Sequence, residues 1–294
     1  MTEKRIFALG FFDGVHLGHQ VLLQKCRALA DTNHCSAGVV TFTAHPEALV
    51  LGQAPQLINS VQDRKGLLLS YGMDSVLALS FDETLRTTHW SAFLGQLERL
   101  GAAGFVCGSD FRFGAGGSGT AKKLAAYCEK RQLPYAVVDQ QLLDGVRVSS
   151  THIRALLEAG DMAQAVRFLG HPHVLSGTVV PGKQVGRTIG VPTANLALPE
   201  GVLCPKHGVY ACRIGIGARQ YLAVTNVGSR PTVQGSGITV ESFVLDFDGD
   251  LYGKHVTLAF YKYLRPEQKF ASLEELRTQI DADAAQTQEF FKKT

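Results

Sequence analysis

The sequence predicts an α/β domain built on a parallel sheet, followed by a small antiparallel β-barrel domain with a C-terminal helix. Three observations predict it. Up to about Asp139, short apolar runs alternate with helical patterns, the order that produces a parallel sheet covered by helices. Beyond Gly170-His171-Pro172 the pattern changes to strands separated by glycine-rich turns, and a small antiparallel barrel is the natural closure of such a set. A chain of 294 residues that is 45% hydrophobic is long enough for two domains, each with its own core. The change of pattern sets the expected boundary, with one domain over residues 1–170 and a second over 173–294.

The apolar run 6–9 reads as the first buried strand. Gly10 and Gly14 permit a tight turn after it, and Val21, Leu22, Cys26 and Leu29 continue at helical spacing. Strands follow at 37–42, 75–79, 105–107 and 135–138, against helices starting near Val21, Asp63, Trp90 and Ala121. Residues 149–169 read as two short helices broken at Gly160-Asp161, with Gly170 ending the second. The second half supplies strands at 174–180, 209–216, 220–227, 239–247 and 255–263, with a turn signal at Asp248-Gly249. Residues 273–291 are helical by the spacing of Leu273, Leu276 and Ile280, with Glu274 and Glu275 in the first turn. That helix is expected to pack against the barrel.

Composition narrows the function classes. A net charge of +3 from 29 basic and 26 acidic residues makes no basic stripe, so nucleic acid is not an implied partner, while anionic small molecules are compatible. No apolar run reaches the length of a membrane span and no secretory h-region precedes the first strand, so the expectation is a cytoplasmic protein with no membrane partner. Its six cysteines contain no Cys-x-x-Cys pair and sit mostly among apolar neighbours, which argues for small buried hydrophobes rather than disulfides, a zinc site or any metal cluster. Nothing in the sequence fixes an oligomeric state.

The stretch Leu9-Gly-Phe-Phe-Asp-Gly-Val-His-Leu-Gly-His-Gln20 places His16 and His19 where a strand turns into a helix. A helix start offers unpaired N–H groups and partial positive charge, and imidazoles added there can bind phosphate oxygens. Both histidines are expected on one face of the first helical turn. His45-Pro46 and the run Gly108-Ser-Asp-Phe-Arg-Phe-Gly114 follow two other strands, so they reach the same carboxyl edge of the sheet, where ligands of open α/β sheets collect. Ser149-Ser-Thr-His-Ile-Arg154 starts a helix whose hydroxyls can cap it or meet phosphate, and whose Arg154 can hold an anion.

In the second half, Gly186-Arg-Thr-Ile-Gly-Val-Pro-Thr-Ala-Asn195 ends with Thr193 and Asn195 two residues apart in extended chain. They point the same way and can offer neutral oxygens to Mg²⁺ on a triphosphate. Glu241 shares its strand face with Phe243 and Leu245. If that face is interior, the carboxylate is more basic than usual and suits a general base; an outward glutamate on an edge strand is the other reading.

The His-x-Gly-His and Ser-Ser-Thr-x-Ile-Arg motifs together resemble the HxGH nucleotidyltransferase superfamily, which implies a Rossmann-like nucleotidyltransferase domain. From about Arg5 to Phe291 the chain resembles the bacterial bifunctional riboflavin kinase/FAD synthetase family. The resemblance implies adenylation of FMN by the N-terminal module and phosphorylation of riboflavin by the barrel, with riboflavin, FMN, FAD and ATP as ligands and Mg²⁺ as cofactor. By motif, it implies Gly10, Asp13, His16, His19, Asp110, Ser149, Ser150 and Arg154 at the adenylyl-transfer site, with the two histidines catalytic. In the barrel it implies Gly182, Gly186, Arg187, Thr193 and Asn195 on the nucleotide, the last two also on Mg²⁺. Glu241 becomes the catalytic base, and Val191, Glu241 and Arg265 meet the flavin. Asn226-Val-Gly228 and the run 265–270 also resemble kinase landmarks of the family. Phe11 stands where a small or polar residue such as Asn is common, Val191 where Phe is frequent, and Ser242-Phe243 where Thr-His is frequent.

Three other readings carry different functions. Gly114-Ala-Gly-Gly-Ser-Gly119 satisfies a dinucleotide-binding fingerprint and has Asp139 at the end of the next strand, which would suit an NAD-dependent oxidoreductase. Its first glycine, however, does not directly follow the strand. Gly177-Thr-Val-Val-Pro-Gly-Lys183 nearly completes a phosphate loop but continues with Gln184 where Ser or Thr should stand. A flavin-binding regulatory protein without turnover is the third reading. The joint presence of His16, His19, Thr193, Asn195 and Glu241 argues against it.

Overall fold

The computed structural model describes residues 3–45, 55–182, 192–232 and 235–293. The chain forms two compact units, Met1–Leu57 with Val61–Ser150, and Ile58–Ser60 with Thr151–Thr294.

In the first unit β1 (Arg5–Leu9) leads through a turn into α1 (Leu17–Thr32) and β2 (Ser36–Phe42). Next come α2 (Val61–Ser70), β3 (Ser75–Leu79), α3 (Glu83–Thr87), α4 (Trp90–Arg99) and β4 (Ala102–Gly108). A small hairpin of β5 (Arg112–Phe113) and β6 (Gly119–Thr120) precedes α5 (Ala121–Arg131) and β7 (Tyr135–Val138). A second hairpin, β8 (Leu142–Leu143) with β9 (Val146–Arg147), ends the unit. The five main strands pair in parallel in the order β3-β2-β1-β4-β7, the sheet that the alternating pattern predicts.

Alternation along the strands sends side chains to two cores. Ile6, Ala8, Val39 and Val106 pack with Leu22, Leu23 and Cys26 of α1 on one face. Phe7, Leu9, Val40, Phe105 and Cys107 pack with Phe93, Leu97, Leu124 and Cys128 on the other. Both faces are therefore covered, and the carboxyl ends of β1, β2 and β4 are left for chemistry. The unpredicted helix α3 is capped by Asp82, whose side chain accepts from Leu85 N–H at 2.8 Å.

The glycine fingerprint at 114–119 falls in the β5–β6 hairpin rather than after a strand of the parallel sheet, so the dinucleotide-binding reading has no structural basis. Gly114 serves packing instead, since a Cβ there would lie 2.5 Å from the Trp90 Cα, and its φ is +70°.

Helix α6 (Ser150–Ala159) starts at the division between the units, and α7 (Met162–Leu169) packs on the first and last long strands of the second unit. The sequence reading sets both helices before its boundary at Gly170, whereas the residues from Thr151 onward belong to the second unit. Lys206 N–H donates to Leu157 O at 3.0 Å, and Asn59 Nδ2 donates to Val174 O at 3.0 Å.

The barrel consists of β10 (His173–Val180), β11 (Thr193–Ala197), β12 (Gly208–Ile216), β13 (Arg219–Thr232), β14 (Gly235–Val244) and β15 (His255–Arg265). It closes in the order β10-β11-β14-β13-β12-β15. Five of these strands were predicted; the sixth, β11, is the extended segment carrying Thr193 and Asn195. Helix α8 (Leu273–Lys292) packs on β12 and β13. Ser272 caps it by accepting from Glu275 N–H at 3.1 Å, while Glu275 Oε2 accepts from Ala271 N–H at 2.9 Å.

All six cysteines are free, and burial pushes the thiols of Cys26, Cys107, Cys128, Cys204 and Cys212 up to about 12, which keeps them unreactive. Among the described residues no helix is long and apolar enough to cross a membrane.

His173, at the start of β10, is fully buried beside Phe260. Burial, reinforced by neighbouring His171, lowers its pKa from 6.5 to about 3. The unfolded chain therefore binds a proton that the folded chain does not anywhere between these values. Stability that is complete above pH 6.5 is lost as pH falls towards 3. Urea unfolding followed across this window should show the His173→Leu variant taking up about one proton fewer than the parent on unfolding, so its stability falls less steeply with acid.

Candidate active sites

The first site is built on the turn after β1. Phe12 (φ 59°), Gly14 (φ 81°) and Val15 (φ 41°) all have left-handed backbone, which for a β-branched residue is a true outlier. Three side chains from three elements hold that turn by its carbonyls. Thr41 Oγ1 of β2 donates to Phe11 O at 2.7 Å, Ser150 Oγ of α6 donates to Asp13 O at 2.9 Å, and Gln20 Nε2 of α1 donates to Val15 O at 2.9 Å. The Ser150 bond joins the Ser-Ser-Thr-x-Ile-Arg motif to the histidine turn across 137 residues of sequence.

His16 is not inside the first helical turn as expected. It is the N-cap of α1, in extended backbone, and its Nδ1 accepts from His19 N–H at 3.3 Å. The cap leaves the His16 ring proton on Nε2. The two imidazoles stack with centroids 3.6 Å apart and planes 12° apart, so they still present one paired surface at the helix start. Desolvation holds the His19 pKa well below 6.5, with His16 and Arg64 adding repulsion. His19 is therefore a neutral donor. Asp13 is buried, and Gly10 N–H donates to Val40 O at 3.2 Å, which pins the turn to β2.

Asp110, just past β4, is exposed and accepts from Arg147 Nη2 at 2.6 Å and Gln140 Nε2 at 3.2 Å. Ser149 adjoins Ser150 at the start of α6, and Arg154 lies one helical turn further, in the part of α6 that belongs to the second unit. Beside the end of β2, Phe42, Phe81, Phe93 and Phe113 line a cleft of about 400 Å³ with Arg86 and Arg112.

The second site follows from strand register. Asn195 of β11 stands opposite Glu241 of β14, which stands opposite Asn226 of β13. Directly paired residues of antiparallel strands share a face, so the three polar side chains form one row, with Thr193, Phe243 and Val224 in the adjacent row. Closure of the barrel puts β14 between two partners, which removes the edge-strand reading of Glu241. The interior reading is also corrected. The fully buried face of β14 carries Val240, Ser242 and Val244, while Glu241 and Phe243 lie on the half-buried face. Ser242 instead satisfies Thr225 in the core, hydroxyl to hydroxyl at 2.9 Å.

Thr193 also borders a cavity of about 90 Å³ lined by Asp248, Asp250 and Tyr252. Gly182 lies close beneath Asn195, and a Cβ there would lie 2.2 Å from Asn195 Nδ2, so a side chain would push that amide aside. Asn226 Nδ2 donates to Glu267 Oε1 at 3.1 Å. Arg265 is engaged by protein: Nε and Nη2 donate to nearly buried Asp283 at 2.7–3.2 Å, and Nη1 donates to Pro266 O, tying β15 to α8. Gly186, Arg187 and Val191, with Pro46 of the first unit, lie outside the described residues. Among the described residues no group of three or more His, Cys, Asp or Glu side chains could hold a metal ion.

The FAD synthetase family matches residues 1–152 and the riboflavin kinase family matches residues 169–291. The chain belongs to the bifunctional riboflavin kinase/FMN adenylyltransferase family. A member from Listeria monocytogenes is 32% identical over 294 residues, covering 99% of this chain and 93% of that protein. One from Escherichia coli K12 is 37% identical over 300 residues, covering 99% and 94%. The fold matches a crystal structure described as a macrolide-efflux protein from Streptococcus pneumoniae, at TM-score 0.87 and 29% identity, covering 98% of this chain and 95% of that one.

Sequence reasoning missed Thr41, Gln20 and Arg64 at the first site. The first two act through backbone carbonyls, which no side-chain motif announces. Arg64, on α2, donates through Nη2 to Phe42 O at 2.5 Å and lies 4.4 Å from the Phe11 ring centroid, a placement that only the sheet order creates. Because the His19 pKa is held well below 6.5, its ring should remain neutral through the neutral range. Nitrogen-15 chemical shifts of the His19 ring should stay constant between about pH 8 and pH 6.5, an interval over which an exposed histidine becomes about half protonated.

Proposed function

We propose that the barrel site transfers a phosphoryl group from ATP to riboflavin, giving FMN, and that the histidine-turn site joins FMN to the adenylyl group of a second ATP, giving FAD and pyrophosphate. The observation that carries the reading is the Asn195–Glu241 pairing, which sets a carboxylate beside neutral oxygens suited to a metal-bound triphosphate. In the barrel, Glu241 takes the proton of the riboflavin hydroxyl as its oxygen attacks the γ-phosphorus and ADP leaves. Thr193 and Asn195 are two hard oxygen donors on one face, fit for Mg²⁺ carried by the triphosphate, and Mg²⁺ bound there would neutralise charge on the transferring group. The open Gly182 Cα lets Asn195 lie against the backbone.

At the histidine turn, neutral His19 and capped His16 donate to phosphate oxygens and stabilise charge developing on the departing pyrophosphate. Asp13, Gly10 and the start of α6 at Ser149 and Ser150 shape the nucleotide cradle, with Asp110 at the same sheet edge and Arg154 following on α6. The aromatic cleft at Phe42 and Phe113 suits a flat isoalloxazine ring. Arg265 would reach flavin chemistry only through the position it gives β15 and α8. ATP as co-substrate of both steps supports a cytoplasmic location.

Replacing Glu241 with Gln keeps shape but removes the proton acceptor. Conversion of riboflavin to FMN, followed by chromatography of flavins, should fall by roughly 10²–10⁴-fold, while supplied FMN is still adenylated. His19→Ala should do the opposite. Incubated with riboflavin, ATP and Mg²⁺, that variant should accumulate FMN, with FAD formation reduced by about 10²–10³-fold; FAD at the parent rate would remove the histidines from the mechanism.

A further inference from the structure

Arg64 has no part in the motifs, yet it is the first among the large, fully buried side chains of the described residues, at 0% exposure. Its Nη2 is committed to Phe42 O, while Nε and Nη1 are buried with no hydrogen-bond partner among the described residues. A guanidinium normally arrives in an interior with its donors filled, since removing the cation from water costs several kcal/mol. Asp13 is the acidic group whose field it feels, and His19 feels Arg64 in turn, so the guanidinium lies beside the histidine turn. On its other side Phe42 both accepts from Arg64 and lines the aromatic cleft. The Phe11 ring, itself part-exposed, lies over the guanidinium at 4.4 Å and meets His45 edge-on at 4.8 Å.

We infer that Arg64 binds the phosphate of FMN, the attacking group of adenylyl transfer, with the Phe11 ring as the cover that this phosphate displaces. The inference rests on the adenylation reading above. Of the anionic groups in the reaction, the triphosphate belongs to the helix start and the ring of the flavin to the cleft. The flavin's own phosphate must span the interval that Arg64 occupies. One of its oxygens forms a bond to the α-phosphorus of ATP while the bridge from α to β breaks, and pyrophosphate leaves with that electron pair. Arg64 transfers no proton. It lowers the repulsion between two anions that must touch and aims the nucleophile, a task for fixed positive charge.

The test uses the full chain with Arg64→Gln and Arg64→Lys. Steady-state adenylation of supplied FMN is measured with each substrate varied, ATP affinity is measured by calorimetry, and riboflavin phosphorylation serves as a control on the other site. For Arg64→Gln, kcat/KM for FMN should fall about 10–100-fold, the worth of a charged hydrogen bond, while ATP affinity stays within about threefold, near the scatter expected of such energies. Arg64→Lys should recover part of the loss. Parent-like KM and kcat/KM for FMN in Arg64→Gln would overturn the inference. So would a joint loss of ATP and FMN binding, or of folding, in Arg64→Gln that Arg64→Lys repairs in full, since that pattern marks a packing role. A parent protein that makes no FAD from FMN and ATP would instead defeat the adenylation reading itself.

Discussion

The turn between β1 and α1 governs the first unit, because its shape is held against its own backbone preferences. Left-handed Phe12 and Val15 cost about 1–3 kcal/mol each, and the three side-chain bonds to Phe11 O, Asp13 O and Val15 O return about 0.5–1.5 kcal/mol each. The two sums are comparable, so the turn depends on β2, α1 and α6 all being in place. Its result is chemical. A chain forced through this turn arrives at α1 with His16 as cap and a neutral, half-buried His19 imidazole stacked upon it at the helix start.

The barrel reaches the same end by register. A one-residue slip of β11 against β14 would send Asn195 to the opposite face from Glu241. Closure leaves no edge along which such a slip could be accommodated. The core side of β14 is fixed by Val240, Val244 and the Ser242–Thr225 hydroxyl pair, so the face carrying Glu241 is specified from behind. Gly182 completes the arrangement, since any side chain there would meet the Asn195 amide. The closing ion pair of Arg265 with Asp283 uses a nearly buried carboxylate in bidentate geometry to anchor α8 to β15.

The alternation of apolar runs with helical spacing was legible as a parallel sheet because both faces of that sheet are covered, and burial on two sides writes itself into the three central strands. The barrel was legible in five of its six strands by alternation, with one face buried and the other part-exposed. Strand β11 was harder to read, since Thr193-Ala-Asn195 is short and polar and is a strand only because β10 and β14 flank it. Helices α6 and α7 were read correctly as helices, but which core they join is a matter of packing that their own spacing does not state. The glycine run at 114–119 keeps the fingerprint's spacing but sits in a hairpin outside the parallel sheet, as the displaced first glycine indicated.

By itself the sequence determined the fold class and the two families of motifs. Those depend on local spacing and on the apolar pattern, which the chain carries in one dimension. Tertiary structure alone decided that His16 caps rather than enters α1, that Glu241 stands on the half-buried face of a central strand, and that Arg64 is buried beside a turn fifty residues away in sequence. Each of these is a relation between elements brought together by sheet order or strand register, and the free energy that sets it comes from long-range burial and from hydrogen bonds to backbone carbonyls, which leave no signature in neighbouring residues.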